Sequence, residues 1–206
     1  MGSRFRIRRI FRPLVMWIAK QFQKLNITPN QVSILGMLLA LGGCLFFIFI
    51  SSYWGSFLFA IFIFMAGLFD GIDGSLARLT NKTSVRGGYL DSVLDRYADV
   101  CIIFAFLGHY PAQLILLGIP LLIWVILALI GVIMVSYVRA KGEAQGVPDC
   151  DVGVAGRSER LFILVICALL NFVFANFAYI GLIIVVLISH LTIIYRIYYV
   201  HKMLKI

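Results

Sequence analysis

Asp70-Gly71-Ile72-Asp73-Gly74-Ser75-Leu76-Ala77-Arg78, followed by Gly87, Asp91 and Asp95, is the stretch on which the reading of this chain turns. Asp70 and Asp73 are one short helical turn apart, and Asp91 and Asp95 are related by i, i+4, so each pair shares a helix face. Two adjacent helices carrying these pairs bring four carboxylates together. Such anions repel one another and are costly to desolvate unless something neutralises them. Arg78 and Arg96 compensate only in part. Oxygen-only ligands favour Mg²⁺ or Mn²⁺, and two divalent ions balance four charges. The alternative is that the carboxylates pair with nearby arginines and hold helices in register, which four acids at this spacing make the weaker reading.

The surroundings of that stretch are apolar. Of 206 residues, 62% are hydrophobic, against 45–50% in soluble domains, and mean hydropathy is +1.01. The apolar residues come in runs long enough to cross a bilayer, at roughly 32–52, 55–78, 88–108, 112–138, 159–175 and 178–199. The fifth is short unless its helix extends. Ahead of them, residues 6–25 place Ile7, Phe11, Leu14, Val15, Ile18, Phe22 and Leu25 at helical spacing, with Arg8, Arg9, Arg12, Lys20 and Lys24 on the remaining surface. A helix so divided lies in the membrane interface. Thr28-Pro29-Asn30-Gln31 reads as the next helix start: Thr28 caps, Pro29 suits the first position and Gln31 completes a capping box.

The sequence thus predicts an all-α integral membrane protein: a juxtamembrane amphipathic arm over 1–28 and a six-helix membrane domain over 29–206. Charged residues are expected in the arm, in 70–99, in 139–160 and in the C-terminal tail, with none in the connections at 52–56 and 109–113. With six spans these regions share one side, and their Lys/Arg bias makes it cytoplasmic, in a multi-pass protein of the cell (plasma) membrane. The net charge of +9 does not indicate a nucleic-acid partner, because the basic residues flank apolar spans rather than forming one soluble patch. Cys44, Cys101, Cys150 and Cys167 are scattered and read as buried small residues. His109, His190 and His201 lack metal-ligand spacing. The basic N-terminus leads into an amphipathic segment, not a short apolar core with a cleavage site, so no signal peptide is expected.

The pattern D-x2-D-G-x2-A-R-x8-G-x3-D-x3-D, formed by Asp70, Asp73, Gly74, Ala77, Arg78, Gly87, Asp91 and Asp95, resembles the signature of the CDP-alcohol phosphotransferase family. Eight fixed identities at ordinary residue usage coincide less than about once in 10⁹ starting positions, so the motif is specific. The Thr28-Pro29-Asn30 opening, the six-span layout and the arm are also similar to the family. The resemblance implies transfer of a phosphatidyl-type group from a CDP-lipid, CDP-diacylglycerol or CDP-archaeol, to a hydroxyl, with release of CMP. It implies that Asp70, Asp73 and Asp91 hold two Mg²⁺ (or Mn²⁺) ions, with Asp95 on the second and also acting as the catalytic base. It further implies that Gly74, Arg78 and Ser84 contact the cytidine diphosphate, flanked by Pro29, Asn30 and Ser33, with Ala77 and Gly87 in the same motif, and that the protein is a homodimer. Asp99 lies outside the motif and reads as a pairing residue, with Arg96 or a neighbouring helix.

Arg139-Ala140-Lys141 closes the expected fourth span and Arg157-Ser158-Glu159-Arg160 opens the fifth, on the same side as the carboxylates. Converging Arg139, Lys141, Arg157 and Arg160 suit the phosphate of an acceptor, since guanidinium groups bind phosphate bidentately. Snorkelling at the membrane edge is the competing explanation for each of them. Together the two segments resemble the branch that uses inositol phosphate, the phosphatidylinositol phosphate synthases and their archaeal counterparts. Glycerol 3-phosphate is the other anionic acceptor considered. A non-enzymatic reading, a divalent cation transporter, places its acids nearer the bilayer midplane and often shows inverted repeats, neither of which is evident.

Overall fold

The computed structural model describes residues 7–204 apart from 51, 112 and 155, with residues 7–9 described by backbone alone, so the side chains of Ile7, Arg8 and Arg9 lie outside it. Seven helices follow in order: α1 (Ile7–Lys24), α2 (Pro29–Phe49), α3 (Tyr53–Leu79), α4 (Val85–His109), α5 (Leu121–Ala144), α6 (Arg157–Leu170) and α7 (Phe177–Met203). A two-residue antiparallel pair, Ile115–Leu116 with Ile119–Pro120, precedes α5. The chain is all-helical in every other described element.

Helix α1 is the expected amphipathic arm. Val15 and Ala19 are buried with Val32, Ile72 and Leu76, while Ile10, Trp17 and Lys20 face outward. Close approach to α3 is possible because Gly71 lies opposite Val15; a Cβ there would sit 3.4 Å from the valine. The capping box at Thr28 is present, its backbone N–H donating to Gln31 Oε1 at 2.8 Å.

Helices α2, α3, α5 and α7 are each long and apolar enough to cross a membrane. The other two expected spans are different in kind. Helix α4 has 25 residues but carries Arg86, Asp91, Asp95, Arg96 and Asp99 in its N-terminal part. Helix α6 has only 14 residues, roughly 21 Å of helix against about 30 Å of hydrocarbon. The expected fourth span at 112–138 is corrected to 121–144. Leu117 and Gly118, both at positive φ, turn the chain within the short hairpin, and the helix starts after Pro120. Arg139 and Lys141 therefore lie within the helix, not beyond its end. The fifth expected span, 159–175, stops at Leu170. There the Asn171 amide donates to Ser56 Oγ at 2.9 Å and accepts from the Ala178 N–H at 3.3 Å, tying the turn down. The expected confinement of charge is corrected as well: Arg196 lies inside α7 and is only 3% exposed.

The main core joins Phe47, Phe59, Phe106, Trp124, Leu164, Tyr179 and Leu182 from six helices. Tyr53, Trp54, Phe57 and Phe172 form an aromatic cluster at the end of the molecule opposite the carboxylates, with Tyr53 and Phe172 centroids 4.8 Å apart. Where α6 meets α7, Gly181 leaves no room for a side chain, since an added Cβ would lie 2.6 Å from Cys167 Cβ. Gly181→Ala is expected to destabilise the protein by about 1–3 kcal/mol through overpacking, read as a lower Tm in detergent; an unchanged Tm would show that α6 shifts freely.

Candidate active site

The end of α3 and the beginning of α4 enter one cavity of about 1140 Å³, whose wall includes Asp70, Asp73, Gly74, Arg78, Asp91 and Asp95. Asp70, Asp91 and Asp95 each present an oxygen within 4.8 Å of the others. Three hard oxygen donors at that spacing fit a divalent cation of the Mg²⁺ or Mn²⁺ type. Asp73 is set differently. It is 4% exposed, and its Oδ2 accepts from Ser33 Oγ at 2.7 Å, which ties α3 to the start of α2. Of the four expected metal ligands, three converge and the fourth points to a hydroxyl beside them.

The residues expected around the cytidine diphosphate gather at the same end. Pro29 begins α2 and its carbonyl accepts from Ser33 Oγ at 3.2 Å. Ser84 caps α4, accepting from the Gly87 N–H at 3.0 Å. A Cβ on Gly87 would crowd both Ser84 Oγ and Asn30 Oδ1, at 3.0 and 3.4 Å, so α2 and α4 begin side by side. Arg78, exposed at the end of α3, lies over Gly74 with its guanidinium 3.4 Å from Ser75 Oγ, and half-buried Ala77 precedes it.

Arg157 lies among the carboxylates. Its Nη1 reaches Asp70 Oδ1 at 3.0 Å and Asp95 Oδ1 at 2.6 Å, and its Nε donates to Asp99 Oδ1 at 3.1 Å. Asp99 is the pairing residue expected from the sequence, joined both to Arg96 and to a neighbouring helix. Buried beneath the site, it also meets Arg160 and Arg96, each at 3.4 Å, and Arg96 donates to Ser136 on α5. Five carboxylates thus face three arginines here, leaving a deficit that one divalent cation matches. Arg139 and Arg160 line the cavity, whereas Lys141 is exposed and is not among the described residues of its lining. The sequence reading missed Arg196, which lines the cavity from α7. A lone arginine in an apolar span was the signal that could have found it.

An apolar helical bundle with a carboxylate-lined cavity at the end of its helices defines a membrane protein built to handle a charged group. The chain belongs to the CDP-alcohol phosphatidyltransferase family, whose model matches residues 26–195. It is therefore a transferase of phospholipid biosynthesis. An archaetidylinositol phosphate synthase of Pyrococcus horikoshii is 37% identical over 190 residues, covering 91% of each chain. The structure of Mycobacterium tuberculosis phosphatidylinositol phosphate synthase with CDP-DAG bound superposes with a TM-score of 0.76 at 25% identity, over 91% of this chain and 94% of that one. The same mycobacterial enzyme with manganese and citrate gives a TM-score of 0.75 at 27% identity, over 90% and 88% of the two chains.

Proposed function

We propose that this protein transfers the phosphatidyl-type group of a CDP-lipid, CDP-diacylglycerol or CDP-archaeol, to a hydroxyl of inositol phosphate. The observation that supports the acceptor is the cavity itself: the carboxylates of α3 and α4 share it with Arg139, Arg157, Arg160 and Arg196, of which Arg157 and Arg160 pair with acids of those helices and Arg139 and Arg196 with Asp151. A neutral acceptor has no use for Arg139 and Arg196, whereas the phosphate of a polyol phosphate pairs with guanidiniums. The inositol phosphate synthase relatives support the same choice over glycerol 3-phosphate. The protein is read as a six-span homodimer of the plasma membrane, its arm over 1–28 and its catalytic domain over 29–206, with the cavity at the cytoplasmic face.

Asp70, Asp91 and Asp95 would hold a divalent cation, and Asp73 would join them around a second that accompanies the donor's diphosphate. The metal supplies charge stabilisation at the phosphoryl oxygens. The chain's own residues do the rest. Asn30, Ser33, Gly74, Arg78, Ser84 and Gly87 cradle the cytidine diphosphate between three helix ends. Arg139 and Arg196 turn the acceptor so that a hydroxyl faces the donor's β-phosphorus, and that orientation supplies much of the acceleration. Asp95 takes the hydroxyl proton as the oxygen bonds to the β-phosphorus. The bond to the α-phosphate oxygen breaks, CMP leaves, and a phosphodiester remains. Arg157 keeps Asp95 and Asp70 in register.

The test is CMP release in detergent from CDP-lipid with inositol phosphate, glycerol 3-phosphate or free inositol, with Mg²⁺, with Mn²⁺ and with chelator. Release is expected with inositol phosphate alone and only with a divalent ion. Release with free inositol at equal efficiency would remove the assigned acceptor. Cation flux in vesicles without any release would favour the transporter reading.

A further inference from the structure

We propose that Asp151 is a specificity-determining residue of the acceptor pocket: its carboxylate holds the arginine pair that receives the acceptor's phosphate, and the phosphate binds by displacing it. Arg196 is 3% exposed, and a guanidinium so buried needs every donor matched. Its Nε donates to the Val152 carbonyl at 2.8 Å and its Nη1 to the Val135 carbonyl at 2.6 Å. These two carbonyls fix the plane of the group. The remaining nitrogen, Nη2, meets Asp151 Oδ1 at 2.9 Å. The other oxygen of the same carboxylate lies 3.4 Å from Arg139 Nη1. One carboxylate is therefore forked between two guanidiniums, an oxygen to each, as two oxygens of a phosphate would be. Asp151, Arg139 and Arg196 all line the cavity.

Asp151 sits on the connection between α5 and α6, two residues before Gly153, which is held at φ +101, and the segment carries no regular structure. Cys150 and Val152 on either side are buried, so the carboxylate leaves by rotation of its own side chain, which is part-exposed to the cavity. Arg139 keeps Glu143 Oε1 at 2.9 Å as a second partner when Asp151 leaves. A phosphate monoester carries about 1.5 to 2 negative charges near neutral pH, against one for the aspartate, so the exchange favours phosphate. An uncharged polyol brings nothing to displace the carboxylate and meets closed arginines. The carboxylate thus satisfies Arg196 between turnovers and sets the threshold that an acceptor must pass.

This rests on the acceptor being phosphorylated, and the experiment separates the two ideas. The KM for inositol phosphate, the KM for CDP-lipid and the inhibition constant of inorganic phosphate are measured for the wild type, Asp151→Asn and Asp151→Ser. Both variants are expected to lower the acceptor KM and the inorganic phosphate constant together, by about three- to tenfold, with the CDP-lipid KM unchanged. An acceptor KM that rises or stays put in a folded variant, while the wild type does use inositol phosphate, overturns the role of Asp151 and leaves the acceptor standing. A wild type that neither uses inositol phosphate nor responds to inorganic phosphate removes both. Should neither variant fold, hydrogen exchange of 146–154 in the wild type decides: faster exchange with inorganic phosphate is expected on release of the carboxylate, and unchanged or slower exchange sinks the proposal.

Discussion

Asp95→Asn is expected to lower kcat by about 10²- to 10⁴-fold while the protein folds and still binds CDP-lipid. The amide keeps the shape of the side chain and one oxygen for Arg157, now 2.6 Å from Asp95 Oδ1, but it cannot accept the hydroxyl proton and is a poorer partner for a cation. Asp95 is partly open to the cavity on the face of α4 that also carries Asp91, which suits the proposed role of base. The measurement pairs CMP release with CDP-lipid binding to the purified variant. A variant with wild-type kcat would remove Asp95 as the base. One that lost donor binding along with turnover would place the residue in holding the donor instead.

Removing Arg157 should have the largest effect on stability. Asp70, Asp95 and Asp99 all lean on its guanidinium, and buried Asp99 would keep only its longer contacts to Arg96 and Arg160. Leaving buried carboxylates uncompensated costs about 3–5 kcal/mol, so Arg157→Ala should unfold at a markedly lower temperature and lose turnover. Arg157→Lys should recover only part of the loss, because one ammonium cannot serve Nε and Nη1 directions at once. Added Mg²⁺ should raise the Tm of Arg157→Ala by more than that of the wild type, since a cation can take over Asp70 and Asp95. Equal Mg²⁺ responses in the two proteins would show that the arginine and the cation do not share those carboxylates.

The carboxylates were legible in the sequence because helical spacing alone puts Asp70 with Asp73 and Asp91 with Asp95 on common faces. The capping box at Thr28 and the amphipathic arm were legible for the same reason: each is written in residues a few positions apart. What escaped depended on tertiary partners. That Asp73 turns to Ser33 is decided by where α2 begins against α3, forty positions away. That Arg157 faces inward among the acids, not outward to a phosphate alone, follows from α6 packing on α3, and no local pattern encodes it. Hydropathy overran two spans because Leu117, Phe172, Val173 and Phe174 are apolar yet sit in turns. Arg196 lay within the expected span 178–199 but was counted with the basic residues of the tail, because nothing local shows that α5 and the connection after it supply its partners.

The aromatic cluster at the start of α3 works as a depth gauge. Tyr and Trp side chains settle at the boundary between acyl chains and head groups, and Phe172 in the turn after α6 adds apolar bulk at that level. Asp70 lies roughly 24 Å further along α3, a little less than the hydrocarbon thickness. With one end pinned in one leaflet, the acids come to rest near the opposite edge of the hydrocarbon, just short of the head groups. A lipid anchored there by its two tails need not be lifted out of the bilayer to present its diphosphate, so the height of the reaction is set some 24 Å from where it occurs.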